Sequence, residues 1–141
     1  MSNLSAFFAK NAAPVDAVEE VVVSDRFKDD EGKPIAWKVK AVLQEDSDNI
    51  RKTCIKTIKG KYGNNTRETD EQEYMLKLVI ASVVFPDLKD AELQQTYGVY
   101  GADNLIKRML TPGEYTNLVL KVQEVNGYDK DINELMEEAK N

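Results

Sequence analysis

The sequence contains no histidine and a single cysteine, Cys54. Those two shortages remove much chemistry. Ser-His-Asp and Cys-His nucleophile systems rely on an imidazole to take the proton. The common zinc sites draw their four ligands chiefly from cysteine and histidine. A lone cysteine cannot close an internal disulfide, so nothing marks the chain as a stapled, secreted scaffold. Long apolar runs are missing too. The most apolar stretch, residues 75–85, is far short of the roughly 20 residues that cross a bilayer. The opening Met1-Ser-Asn-Leu-Ser-Ala-Phe-Phe has neither the basic stretch nor the long apolar run of a secretory signal. The cytoplasm is the expected compartment, and no membrane partner is expected.

What is present suits one globular domain, with or without a short arm. A chain of 141 residues is long enough to bury about 68–70% of the surface its unfolded form exposes. Its charged fraction, 31%, and hydrophobic fraction, 42%, exclude both a membrane protein and a wholly disordered one. The net charge of −6 argues against nucleic acid as a partner, because an acidic surface repels phosphate. The charge is unevenly spread. Residues 16–31 hold seven acids against Arg26 and Lys28, residues 51–67 hold six basic residues and no acid, and the tail is acidic again.

Along the chain, residues 4–10 read as a short helix with Leu4, Phe7 and Phe8 on one side, followed by the linker Ala12-Ala13-Pro14. Strands are expected over 17–27 and 35–43. The second alternates cleanly, with Ile35, Trp37, Val39 and Ala41 facing one way and Lys38 and Lys40 the other. The turn formers between them make this a β-hairpin with a longer loop. Helical periodicity follows. A helix is expected over 47–58, with Ile50, Cys54, Ile55 and Ile58 on one stripe. Thr69, three residues before Gln72, opens a second helix that runs to Phe85 and is apolar nearly all round, so it should be central. A shorter helix starts at Asp87 or Asp90, and another spans 102–110. Thr111-Pro112-Gly113-Glu114 is the clearest local signal, with N-cap, proline at N1 and glutamate at N3. Asn126-Gly127 stops that last helix. The polar residues beyond form a marginal helix or a flexible tail.

Several candidate sites weigh less than they first promise. Asp29-Asp30-Glu31 and Glu137-Glu138 pair carboxylates in an expected turn and a polar tail, without the burial or crowding that acid–base catalysis needs. Gly60-Lys61-Tyr62-Gly63 lacks phosphate-loop spacing. The basic cluster of Arg51, Lys52, Lys56, Lys59, Lys61 and Arg67, with Tyr62, suits acidic protein surfaces better than nucleic acid in so acidic a chain. Cys54, on an apolar stripe, reads as a small buried hydrophobe. Phe7 and Phe8 either dock a partner or fold back on the core, and Trp37, Tyr97, Tyr100 and Tyr115 are either interface anchors or core.

Taken together, several segments resemble the XkdN-like tail assembly chaperones of Gram-positive phages and PBSX-like defective prophages. They are Arg26-Phe27-Lys28-Asp29, Gly32-Lys33-Pro34-Ile35 with Trp37, Leu88 with Asp90-Ala91-Glu92-Leu93-Gln94, Tyr97-Gly98-Val99, Gly101-Ala102, Met109-Leu110, Pro112-Gly113-Glu114-Tyr115 and Val122-Gln123-Glu124-Val125-Asn126-Gly127. The resemblance implies a protein without catalysis, cofactor or metal, made in the host bacterial cytoplasm during tail morphogenesis and absent from the finished virion. It would hold the tape measure protein soluble, with the tail-tube protein and a second copy of itself as further candidate partners. The rival reading is a structural tail completion or connector protein.

The expected fold is α+β: an arm over 1–14, a single domain over 15–127 in which an N-terminal β-hairpin packs on four to five helices, and an acidic tail over 128–141. Partner contacts are expected at Phe7, Phe8, Trp37, Tyr97 and Tyr100. Structural roles are expected for the motif residues Arg26, Phe27, Gly32, Pro34, Gly98, Gly101, Thr111, Pro112, Gly113, Glu114 and Tyr115.

Overall fold

A computed structural model describes residues 3–128. The acidic tail lies outside those residues. The architecture is α+β, as the sequence leads one to expect. Strand β1 (Glu19–Val21) pairs antiparallel with β2 (Trp37–Val39), with Glu19 opposite Val39 and Val21 opposite Trp37. Both strands are much shorter than their apolar patterns. The flanking backbone finds other partners: Ile35 N–H donates to the Phe27 carbonyl, Lys40 N–H to the Ser82 carbonyl, and Val42 N–H to the Asn126 side chain. The loop between the strands is fastened by Asp29, whose carboxylate accepts the Glu31 and Lys33 N–H groups at 2.9 Å each. Gly32 sits there at φ +81°, a left-handed turn conformation that favours glycine.

Helix α1 spans Gln44–Lys52, and the expected helix over 47–58 does not continue. Residues Ile55–Ile58 instead form strand β3, which pairs antiparallel with β4 (Thr66–Thr69) in a second hairpin. The physical reason is side-chain branching. Thr53, Ile55, Thr57 and Ile58 lose rotamer freedom in a helix, whereas a pleated strand accommodates them. The stretch read as a loop is the hairpin's turn, with Tyr62 at φ +61° and Gly63 at +75°.

Helix α2 (Glu71–Ser82) is the central helix and packs on α1, on α4 (Ala102–Met109) and on α5 (Pro112–Val125). Asp70, rather than Thr69, caps it by accepting the Glu73 N–H at 3.2 Å. Its end comes earlier than the apolar run suggests. Residues Val83–Phe85 form strand β5 on the far side of β2, giving the order β1-β2-β5. Pro86 biases the residue before it away from helix, and the two valines suit an extended chain. Asp90 caps the short α3 (Ala91–Thr96).

The core gathers Val39, Leu78, Val79, Leu105, Ile106, Leu118 and Val122, each at most 1% exposed. Two polar devices cross it. The Ser47 and Tyr74 hydroxyls share a buried hydrogen bond at 2.6 Å. Asn126, at the end of α5, accepts from Val42 N–H at 2.9 Å and donates to the Ser82 hydroxyl at 3.2 Å. That one side chain ties α5 to the sheet and to α2.

Candidate partner-binding surface

The motif segments from the two ends of the chain meet. Arg26 clasps Glu114 with two parallel hydrogen bonds, Nε to Oε2 at 2.9 Å and Nη2 to Oε1 at 2.5 Å. Its Nη2 also donates to the Met109 carbonyl at 2.7 Å. Glu114 meanwhile completes the α5 capping box, accepting the Thr111 N–H at 2.9 Å while the Thr111 hydroxyl accepts the Glu114 N–H at 3.3 Å. With the Arg26 hydrogen bonds first and Ser24 and Thr111 after them, the Glu114 carboxyl is held well below the usual carboxylate range. The Arg26 guanidinium also lies 5.0 Å from the centre of the Phe27 ring, and Phe27 tilts against Trp37 at 6.2 Å. This chain of contacts sets the sheet against the N-terminus of α5.

Trp37 is a core residue, 2% exposed, which is the reading its place on the apolar strand face favoured over the expected partner contact. Burial on the apolar face of β2 takes it out of reach of a partner. Tyr97 and Tyr115 are half-buried, and burial raises the Tyr115 phenol pKa. Tyr100 stands out at 84% exposed. Gly98 and Gly101, at φ +69° and +89°, carry the chain from α3 into α4. Gln94 braces that turn through the Leu88 carbonyl at 2.9 Å and the Gly101 N–H at 3.0 Å. Pro34 bridges to Lys28 at the loop end of the first hairpin, and Gly113 lies inside the first turn of α5.

Phe7 and Phe8 remain together on the arm. A short 3-10 turn, Leu4–Phe7, precedes Phe8, and the Asn11 side chain donates back to the Ser5 carbonyl at 2.7 Å. Leu4 is 71% exposed and Phe7 81% exposed, so the arm does not fold back onto the core.

Between α2, α4 and α5 runs an open groove of about 940 Å³. Met75, Leu76, Leu110, Tyr115, Val119 and Leu120 supply its apolar surface, and Glu73, Lys77, Asp103 and Lys107 its charged surface. Lys77 and Glu73 pair with each other at 3.0 Å. The sequence signal for this groove was the all-round apolar character of α2. A helix with core residues on one side and Met75 on another has apolar surface left over after the core is filled. Which neighbouring residues would complete the groove depended on how α4 and α5 cross α2. Among the described residues, no cluster of histidine, cysteine, aspartate or glutamate could hold a metal ion, and no helix is long and apolar enough to cross a membrane.

Fold and groove define a class: a small α+β protein with an apolar groove framed by three helices. The chain belongs to the XkdN-like tail assembly chaperone proteins of phages, whose family model matches residues 4–140. It is similar to the phage-like element PBSX protein XkdN of Bacillus subtilis strain 168, 33% identical over 125 residues that cover 86% of this chain and 83% of XkdN. It is also similar to YqbN of the same strain, an uncharacterized protein, at 34% identity over 99% of this chain and 93% of YqbN. The crystal structure of YqbN superimposes with a TM-score of 0.75, at 28% identity, over 92% of this chain and 99% of that one.

Proposed function

We propose that this protein binds an amphipathic helix of the phage tape measure protein in the α2–α4–α5 groove and keeps that partner soluble in the host cytoplasm until the tail tube is built. The groove carries the reading. Apolar grooves flanked by charge are a recurring way to hold the apolar face of a helix, with anchors repeating at i, i+3, i+4 and i+7. Binding of this kind needs neither catalysis nor a cofactor. Residues 1–14 serve as an accessory docking arm through Phe7 and Phe8, and the body over 15–127 supplies the groove. Several copies on one long partner gain avidity, so single contacts can be weak.

Co-expression with the tape measure protein of the same phage element tests this. The expected result is a shared complex in pull-down and a larger soluble fraction of the tape measure protein. Leu120→Glu, at a groove residue 58% exposed, should leave the fold intact by circular dichroism and abolish both effects. A tape measure protein that stays insoluble and unbound with the native chain would overturn the proposal.

A further inference from the structure

The β3–β4 hairpin is a charged surface that the groove does not use. Every residue from 55 to 68 is exposed, so neither face of the hairpin is covered. An isolated two-stranded hairpin is marginal in water unless something packs on it. Ile55 and Ile58 stand 46% and 41% exposed, and Tyr62, at the tip, is 98% exposed. The flanks carry Lys52, Lys56, Lys59, Lys61 and Arg67, with no acid anywhere from 52 to 67. Lys56 pairs with Glu68 at 3.7 Å, while among the described residues Lys52, Lys59, Lys61 and Arg67 form no ion pair.

The complement lies on the same chain. Residues 16–31 hold seven acids, and Asp16, Glu20 and Asp30 are exposed and form no ion pair among the described residues. A net charge of −6 with a mostly basic hairpin, whose one acid is Glu68, leaves the rest of the molecule strongly acidic. That acidity opposes a phosphate backbone and favours a like molecule turned the other way round.

We infer that the β3–β4 hairpin docks on the acidic 16–31 segment of a second copy of this chain, joining copies head to tail. The two patches differ, so the contact is heterologous and propagates into a ring or a row rather than closing as a two-fold dimer. Rim charges meet across it, and Tyr62 at the hairpin tip, with the isoleucine of the docked face, loses contact with water.

Sedimentation velocity and light scattering of the full chain provide the test. Self-association should weaken at least about tenfold between about 50 mM and about 500 mM salt, as screening shortens the reach of exposed charges. A hairpin-reversed chain (Lys59→Glu, Lys61→Glu, Arg67→Glu) and a segment-reversed chain (Asp16→Lys, Glu20→Lys, Asp30→Lys) should each be monomeric at low salt. Mixing the two should restore association, because each then meets an opposite charge. A native chain that stays monomeric at low salt, or a mixture that fails to associate, would sink the idea. A native chain that stays monomeric and binds duplex DNA through the hairpin would assign the surface to nucleic acid instead. All of these substitutions lie outside the groove, so solubilisation of the tape measure protein is a separate readout.

Discussion

Glu114 meets two demands with one carboxylate: it closes the capping box of α5 and it receives the forked guanidinium of Arg26. A capping box satisfies only local backbone donors. The arginine makes it long-range, because Arg26 lies 88 residues earlier in the chain. Glu114→Gln should keep the helix cap and weaken the ion pair, lowering the melting temperature at neutral pH. The pH dependence has a definite sign. The folded-state pKa lies below the unfolded one, so the unfolded chain binds more protons in acid and stability drops as the pH is lowered. The contribution is complete above the ordinary glutamate value of about 4.3 and declines below it. Acid melting curves should show a shallower loss in Glu114→Gln than in the native chain, and equal slopes would refute this. In the core, Leu78 is 1% exposed at the centre of α2. Leu78→Ala should cost about 2–5 kcal/mol in urea unfolding, since the cavity cannot fully collapse.

At the scale of elements, the informative places are where periodicity misled. Residues 47–58 have helical spacing, yet the chain turns at Thr53 and Ile55–Ile58 becomes a strand. An apolar residue every third or fourth position fits a helix, but four β-branched residues among six favour an extended chain once a partner strand is present. Such a partner, β4, was not legible, because its residues Thr66-Arg67-Glu68-Thr69 carry no apolar alternation. The same competition ended α2 early and created β5. The capping box before α5 was legible, and the cap of α3 was narrowed to Asp87 or Asp90, because caps depend on residues within one turn. Gly60 tests the hairpin directly. A Cβ there would run into the Asn64 carbonyl, backbone that cannot swing aside. Gly60→Ala should speed amide hydrogen exchange across residues 55–69 and leave the core helices protected. Equal protection of both regions after the substitution would show that the turn adapts.

Across the whole molecule, the body holds together through α2 and through Asn126, and the described part of the arm packs no apolar side chain against the core. Residues 6–20 are all exposed. Removing residues 1–14 should therefore leave the thermal unfolding transition unchanged, whereas it should weaken capture of the tape measure protein if the arm docks there. A destabilised truncation would place the arm in the fold after all. Of the candidate site, only part was readable in advance. Phe7, Phe8 and Tyr100 are exposed as a docking surface requires, while Trp37 belongs to the core. Alternation shows that a strand face is apolar, but not which layer covers that face. The groove was invisible as a unit, because its walls come from helices spread over about 50 residues, from Asp70 to Leu120.

The absence of histidine, the uneven charge, the helix caps and the family motifs are properties of short segments or of composition, and these the sequence determined alone. The α+β class follows from the same local information, since each hairpin or helix signal lies within a few residues. Tertiary structure alone decided three things: that Arg26 reaches Glu114, that β5 joins the sheet beside β2, and that α2, α4 and α5 leave a groove open. Each depends on how separate elements pack, and packing is set by the summed burial of distant side chains, which no local pattern encodes.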